Sequence, residues 1–310
     1  AAPITKDLVF GFGSYCEYGL GTKYDSNLML KHDTTETTIE QFTFNPNLAY
    51  KITEDWSVSF GARMSYITFE NYKSPLLVDH PQLGYLYGRS HLEGDDFNCG
   101  YVLSTSYKVN DDLSLGLVYR SRINHRIEGD FEMNGKNTGV SGSGDAKAKV
   151  VLPASVTFGA NYEFTEKFRG GATLTWTEWS TINHIDFNLP NLSTPYGPSN
   201  PSYTQNLNWH DAWRLGFGFE YDLTDALCGR IGYMYDWDPS AEAHGTTMLP
   251  PGDRHIIGFG LGYELFRNLR LDVGYNFIIM ESESRMIEGL KMQCDNSYSH
   301  IASASVSYSF

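Results

Sequence analysis

A chain of 310 residues with a formal net charge of −14 offers no basic face of the kind phosphate backbones require, which excludes nucleic acid as a partner. No apolar run approaches the roughly 20 residues of a membrane-spanning helix, and the longest, Phe277 to Met280, falls far short. A membrane role would therefore rest on a closed sheet, and a mean hydropathy of −0.35 is compatible with one because half the residues of such strands face a polar interior.

The organising signal is period two. Alternation predicts about twelve strands, near 8–18, 37–52, 56–70, 97–109, 113–131, 148–164, 168–186, 211–223, 227–237, 254–265, 269–283 and 299–310. It is clearest late in the chain. Trp213, Leu215, Phe217, Phe219 and Tyr221 alternate with polar or small residues, as do Leu271, Val273, Tyr275 and Phe277. Successive strand side chains point to opposite faces, so each segment has one apolar and one polar face. The connections alternate in length. Thr53–Asp55, Asn110–Asp112, Thr165–Lys167, Thr224–Ala226 and Phe266–Asn268 are tight turns, whereas 19–36, 71–96, 132–147, 187–210, 238–253 and 284–298 read as long loops. A meander puts every second connection on the same side, so one rim is trimmed and the other elaborated, as in transmembrane barrels. The expected fold is all-β, a single domain over 1–310 forming an antiparallel up-and-down transmembrane β-barrel.

Charge assigns the faces. Arg63, Arg120, Arg122, Arg214, Arg230, Arg254 and Arg270 lie on the polar parity, with Glu163, Glu220, Asp222, Asp236, Glu264 and Asp272. No second layer is readable to cover the apolar side, so lipid is expected there and a polar lumen behind it. Glu178 breaks parity late in its strand, where the wall is expected to have left the hydrocarbon. Trp56, Tyr50, Tyr162, Phe164, Tyr221 and Phe266, near strand ends, read as interfacial girdles.

Loop 71–96 is unusually apolar. Leu76, Leu77, Val78, Leu83, Tyr85 and Leu86 make it a candidate binding surface, the alternative being a loop that folds on itself to cap the barrel. Arg63, Arg122 and Arg214 are the candidates to meet a ligand carboxylate, against a plain ladder of ion pairs with lumenal acids. Asp236, Asp238 and Glu242 with His244 read as a solvated rim rather than an oxygen-lined Ca²⁺ site. Cys16, Cys99, Cys228 and Cys294 lie far apart, and no spacing among them predicts a disulfide or a metal site. There is no phosphate-binding loop and no nucleophile or zinc-protease motif, so neither an enzyme nor a cofactor is expected.

Ordered motifs along nearly the whole chain resemble the long-chain fatty-acid transporter family of outer-membrane proteins, which includes aromatic-hydrocarbon transporters. They are Tyr18-Gly19-Leu20, Tyr119-Arg120-Ser121 leading to Glu128-Gly129-Asp130-Phe131, Val150-Val151-Leu152-Pro153-Ala154, and Trp176-Thr177-Glu178-Trp179-Ser180. Trp209 to Arg214, Leu249 to Arg254 and the terminal Tyr308-Ser309-Phe310 continue the series. The resemblance implies a 14-stranded barrel plugged by an N-terminal hatch. Aligned on Tyr18-Gly19-Leu20, this chain starts just before the family's third strand, so hatch and two strands are lacking and a fragment is expected. The family also implies capture of a hydrophobic ligand at external loops and sideways release at a kinked third strand. The matching strand carries Phe10, Gly11, Phe12 and Gly13, with Gly19 and Gly21 beyond. Interior glycines weaken a strand and permit bulges. Burying an acyl chain yields about 0.8 kcal/mol per CH₂, so affinity does not need many polar contacts. The expected setting is a monomer among outer-membrane lipid and lipopolysaccharide. A barrel-borne lipase and an adhesive barrel are the competing readings.

Overall fold

The structure, a computed structural model, describes residues 1–25, 30–80, 84–135, 138–287 and 289–309. Twelve wall strands follow one another. They are β1 (Leu8–Tyr15 with Gly19–Lys23), β2 (Glu36–Lys51), β3 (Trp56–Lys73), β4 (Arg89–Lys108), β5 (Leu113–Arg120 with Ile123–Asn134) and β6 (Ser141–Leu152 with Ser155–Thr165). The series continues with β7 (Phe168–Thr177 with His184–Asn188), β8 (Tyr203–Asn206 with Ala212–Asp222), β9 (Leu227–Asp236), β10 (Arg254–Phe266), β11 (Leu269–Met280) and β12 (Ser297–Tyr308). Each pairs antiparallel with the next, from β1 against β2 to β11 against β12. Among the described residues no ladder joins β12 to β1, and the far edge of β1 carries only Ala2–Pro3.

The trimmed rim is built from one repeated device. Thr5, Thr53, Thr165 and Thr224 each accept two backbone N–H groups through Oγ1, from residues two and three further on, and Asn110 does so through Oδ1. Such side chains substitute for backbone partners in tight turns.

The outward faces carry the aromatics. Phe60, Phe97, Leu103, Phe217, Phe259 and Tyr275 are all exposed, as are the girdle residues Tyr50, Trp56, Tyr162, Phe164, Tyr221 and Phe266. Along β4 the outward row runs Phe97, Cys99, Tyr101, Leu103 and on to Tyr107. Ten residues at about 3.4 Å each, tilted by roughly 40–45°, project to about 25 Å, the height of a lipid-facing band.

Above this band the wall continues with its polarity inverted. The row Phe42, Tyr66 and Phe97 stands level across β2, β3 and β4, and the next outward residues are Glu40, Thr68 and Asp95. In β5 the outward residues become Arg126, Glu128, Asp130 and Glu132, while Ile127, Phe131 and Met133 turn inward. The change of face occurs at Ser121–Arg122 in β5 and at Pro153–Ala154 in β6, where strand pairing lapses in both. Proline has no N–H to give a ladder, which fits its place at such an interruption. Two expectations are corrected here. Much of 71–96 and 132–147 is wall rather than loop, and only residues 135–140 connect β5 to β6. The cause is the medium: beyond lipid, water selects charge on the outside, and the apolar-outward pattern ends.

Candidate functional site within the barrel

The inverted upper wall encloses an apolar interior. Ile67, Phe69, Ile123, Ile127, Leu152 and Phe187 are buried together, with Tyr18, Ile39, Leu92 and Tyr203 packed around them. Above lies a cavity of about 470 Å³. Leu92, Phe131, Met133 and Leu189 give it an apolar wall, and Lys73 and Tyr203 contribute polar groups. The Lys73 ammonium donates to the Tyr203 hydroxyl at 2.8 Å, a neutral partner, and Tyr203 stacks on Phe187.

Its roof comes from the long loops, fastened by buried polar contacts. The Asp33 carboxylate accepts from Thr246 Oγ1, Thr247 N and Thr247 Oγ1 at 3.0, 2.6 and 2.7 Å. Tyr24 donates to the Thr247 carbonyl at 2.7 Å, and burial raises its hydroxyl pKa above the ordinary tyrosine value. The hairpin Glu283–Ile287 with Leu290–Cys294 is tied in by Arg285, whose Nη2 lies 2.7 Å from Asp238 Oδ2.

Below the apolar interior a polar collar crosses the lumen. Gln41 donates to Thr43 and to Ser65, and His125 bridges Ser65 Oγ and Asp96 Oδ2 at 3.1 and 2.7 Å. Arg63, buried, is paired with Glu17 and donates to the Ser121 carbonyl at 2.7 Å, while Arg120 Nε lies 3.2 Å from the other Glu17 oxygen. Further down, a cavity of about 940 Å³ is lined by glycine-rich strands and, in part, by an ion-pair ladder. In it Arg169 meets Glu220 and Asp222, Arg230 meets Glu220 and Asp272, and Arg270 meets Asp272. An apolar molecule gains nothing by entering such a lumen, because it would displace water from charged groups without replacing their partners.

The collar meets the wall where β1 is interrupted. Tyr15 lies opposite Thr43 but Gly19 lies opposite Glu40, so Cys16, Glu17 and Tyr18 of β1 face only Phe42 and Gln41 of β2. That is a one-residue bulge, and Gln41 Oε1 accepts the Glu17 N–H at 3.1 Å in place of a ladder partner. Tyr18 reaches inward from the bulge to the apolar cluster and meets Trp179 edge-on, with ring centroids 5.8 Å apart.

The predicted site residues fall as follows. Arg63 belongs to the collar. Arg122 pairs with Glu178 beside the interruption in β5, and Arg214 pairs with Asp236 at 3.0 Å, so all three have carboxylate partners. The acids of the expected solvated rim are engaged too, Asp236 by Arg214 and Arg254, and Asp238 by Arg285. Phe10 to Gly13 is regularly paired with β2, and the interruption lies after it, next to Gly19. Leu77 packs inward against Phe131 and Met133, whereas Leu76 is exposed and Leu86 half-buried. Val78 and Tyr85 lie in a short hairpin (Leu76–His80 with Gly84–Tyr87) of which only the backbone is described there, and Leu83 lies outside the described residues. All four cysteines are free. Lys73 and the roof escaped the sequence reading because the cavity is assembled from segments more than 200 residues apart.

A family model described as outer membrane protein transport protein (OMPP1/FadL/TodX) matches residues 1–310. The chain belongs to this family. Membership places it in the outer membrane of a Gram-negative bacterium, with the aromatic band against lipid. It is 23% identical to an outer membrane protein of Neisseria meningitidis serogroup B, over 92% of this chain and 68% of that one. The long-chain fatty acid transport protein of Escherichia coli O6:H1 is also 23% identical, over 89% of this chain and 67% of that protein. The chain thus spans about two thirds of the length of the curated relatives it matches. Among solved structures, a Pseudomonas aeruginosa FadL homologue superposes with a TM-score of 0.84 at 20% identity, covering 99% of this chain and 76% of that one. That likeness supports the family's barrel fold.

Proposed function

We propose that this chain forms the wall of a passive conduit in which a hydrophobic small molecule enters from outside and leaves sideways into the membrane. The ligand is taken up in the roofed cavity, moves along the apolar interior beneath it, and is turned aside at the collar of Glu17, Arg63 and Arg120. The observation that carries this reading is Tyr18. One residue is both part of the bulge in β1 and packed on the apolar interior, so the greasy path reaches the wall where the ladder is broken. The smooth stretch Phe10 to Gly13 borders the exit, and a Cβ at Gly11 would meet no atom of the described residues within 4 Å.

The long-chain fatty acids carried by named relatives fit this interior better than pure hydrocarbons do. Lys73 places a cation against the apolar wall of the cavity, and its hydrogen-bond partner among the described residues is a neutral tyrosine hydroxyl. A carboxylate there would gain a charge-assisted bond while its chain lies on Leu92, Phe131 and Met133.

The test is uptake of a labelled long-chain fatty acid by cells deprived of their own carrier. Excising Cys16 removes the extra residue and makes β1 continuous with β2. Uptake is expected to fall to background while the protein still assembles and still binds the acid in detergent. Undiminished uptake by that variant would show that the bulge is not the exit.

A further inference from the structure

On the outer surface of the barrel, above the lipid-facing row, β3 and β4 bring Glu70, His91 and Glu93 together. Glu70 stands directly opposite Glu93, and Tyr72 opposite His91. His91 Nε2 lies 3.0 Å from Glu70 Oε1 and 3.8 Å from Glu93 Oε2, and one ligand atom from each of the three falls within 4.8 Å of the others. Tyr72 fixes two of them. Its ring stacks on the His91 imidazole with centroids 4.2 Å apart and planes 9° from parallel, and its hydroxyl donates to Glu70 Oε1 at 2.8 Å. Supporting groups that hold a ligating ring and carboxylate in place are the mark of a prepared metal site.

The sheet gives this place an unusual charge pattern. Glu93 faces Glu70 on one side and Asp130 on the other, and Asp95 faces Glu128. Like charges directly opposed across a ladder destabilise it, and three adjacent strands repeat the opposition here. Lys147 attends to Glu128 at 2.8 Å, but at the centre of the pattern the one basic group among the described residues that pairs with Glu70 and Glu93 is an imidazole.

We propose that Glu70, His91 and Glu93 form a divalent-metal site on the external face of the barrel, open to water at its remaining position. One imidazole nitrogen with two carboxylates suits Zn²⁺ and neighbouring first-row ions, whereas Mg²⁺ and Ca²⁺ favour sites built wholly of oxygen. The bound ion neutralises the opposed glutamates and cross-links β3 to β4 outside the lipid.

The test is calorimetric titration of the full chain in detergent micelles with ZnCl₂, and separately with MgCl₂. Zn²⁺ is expected to bind saturably and to raise the temperature at which the barrel shifts to its unfolded mobility on a gel. His91→Ala and Glu93→Gln are each expected to weaken Zn²⁺ at least tenfold. Tyr72→Phe, which keeps the stack and loses the hydroxyl, weakens it a few-fold, and Glu54→Gln on a short turn changes nothing. Gel mobility before heating establishes that each variant is folded. Absence of Zn²⁺ binding would reduce the cluster to a hydrogen-bonded triad. Zn²⁺ binding that survives His91→Ala but vanishes with Cys228→Ser would move the site to the lumenal group of Glu220, Asp222 and Cys228. Either result overturns the proposal.

Discussion

Lys73 is the residue on which the class of ligand turns. Its ammonium closes one side of the upper cavity and, among the described residues, donates to a neutral hydroxyl, so a ligand carboxylate adds a charge-assisted bond. Hydrogen bonds involving a charged partner contribute about 1.5–3 kcal/mol, roughly a tenfold to hundredfold change in affinity. Lys73→Leu is therefore expected to lower affinity for a long-chain fatty acid by about that factor and to leave an uncharged hydrocarbon of similar length unaffected, as measured by displacement of a fluorescent probe. Equal losses for both would place the headgroup elsewhere. The native cysteines report on faces in the same way. Cys99 is exposed in the outward row between Phe97 and Tyr101, so in vesicles it should react with a lipid-soluble maleimide and not with a membrane-impermeant one. Cys294 sits in the external hairpin, where burial is the first cause of a thiol pKa raised above its ordinary value. A raised pKa means less thiolate at any given pH, so alkylation by an external reagent should be slow near neutrality and accelerate as pH rises through the alkaline range.

Among the elements, β1 and β5 do most to separate the two halves of the interior, and each does so by a local break in pairing. In β5 the break turns the odd-numbered row, which carries Leu117 outward to lipid, into the inward row of Ile123, Ile127 and Phe131. The pairing partner β4 keeps its own faces throughout, and the mismatch is absorbed as one residue, since Arg120 opposes Val102 while Glu128 opposes Asp95. Where the strands resume, Gly94 and Gly129 lie opposite each other at very close approach, and a Cβ on Gly129 would collide with the Glu93 carbonyl oxygen. Gly129→Ala should therefore cost about 1–3 kcal/mol, the usual penalty for overpacking, as a lowered denaturant midpoint with unchanged slope. This geometry also explains what the sequence disclosed. Strands inside the lipid were legible because a uniform medium imposes one parity, and the tight turns were legible because Thr53, Asn110, Thr165 and Thr224 open them. The upper wall was hidden because its parity reverses at Ser121 and Pro153, so that charged outward residues of 132–147 looked like loop. Arg63 and its neighbours were legible as lumenal charges, but their pairing with Glu17 and Asp236 depends on register that no single strand encodes.

At the scale of the molecule, the barrel is a vertical sequence of media written on two faces. Outside, lipid gives way to water at the row of Phe42, Tyr66 and Phe97. Inside, the order runs the other way, with apolar packing above that row and charged ladders below it. A hydrophobic ligand descending the interior thus loses its favourable surroundings at the depth where they begin on the outside, and sideways transfer is the step that keeps it in contact with apolar groups. The assignment of the faces can be tested without any ligand. Leu103 lies midway between Phe97 and Tyr107 on the outward row, so Leu103→Arg should cost about 2–4 kcal/mol of barrel stability in a bilayer, the penalty for arginine at the midplane. Glu132→Arg, on the outward face of β5 above the lipid, should cost no more than about 1 kcal/mol, the value near an interface. Guanidinium unfolding of the two variants in lipid vesicles measures both. If the two substitutions cost the same, the aromatic row would not be the boundary of the hydrocarbon, and the inner and outer media would no longer be offset in the way that sends a ligand through the wall.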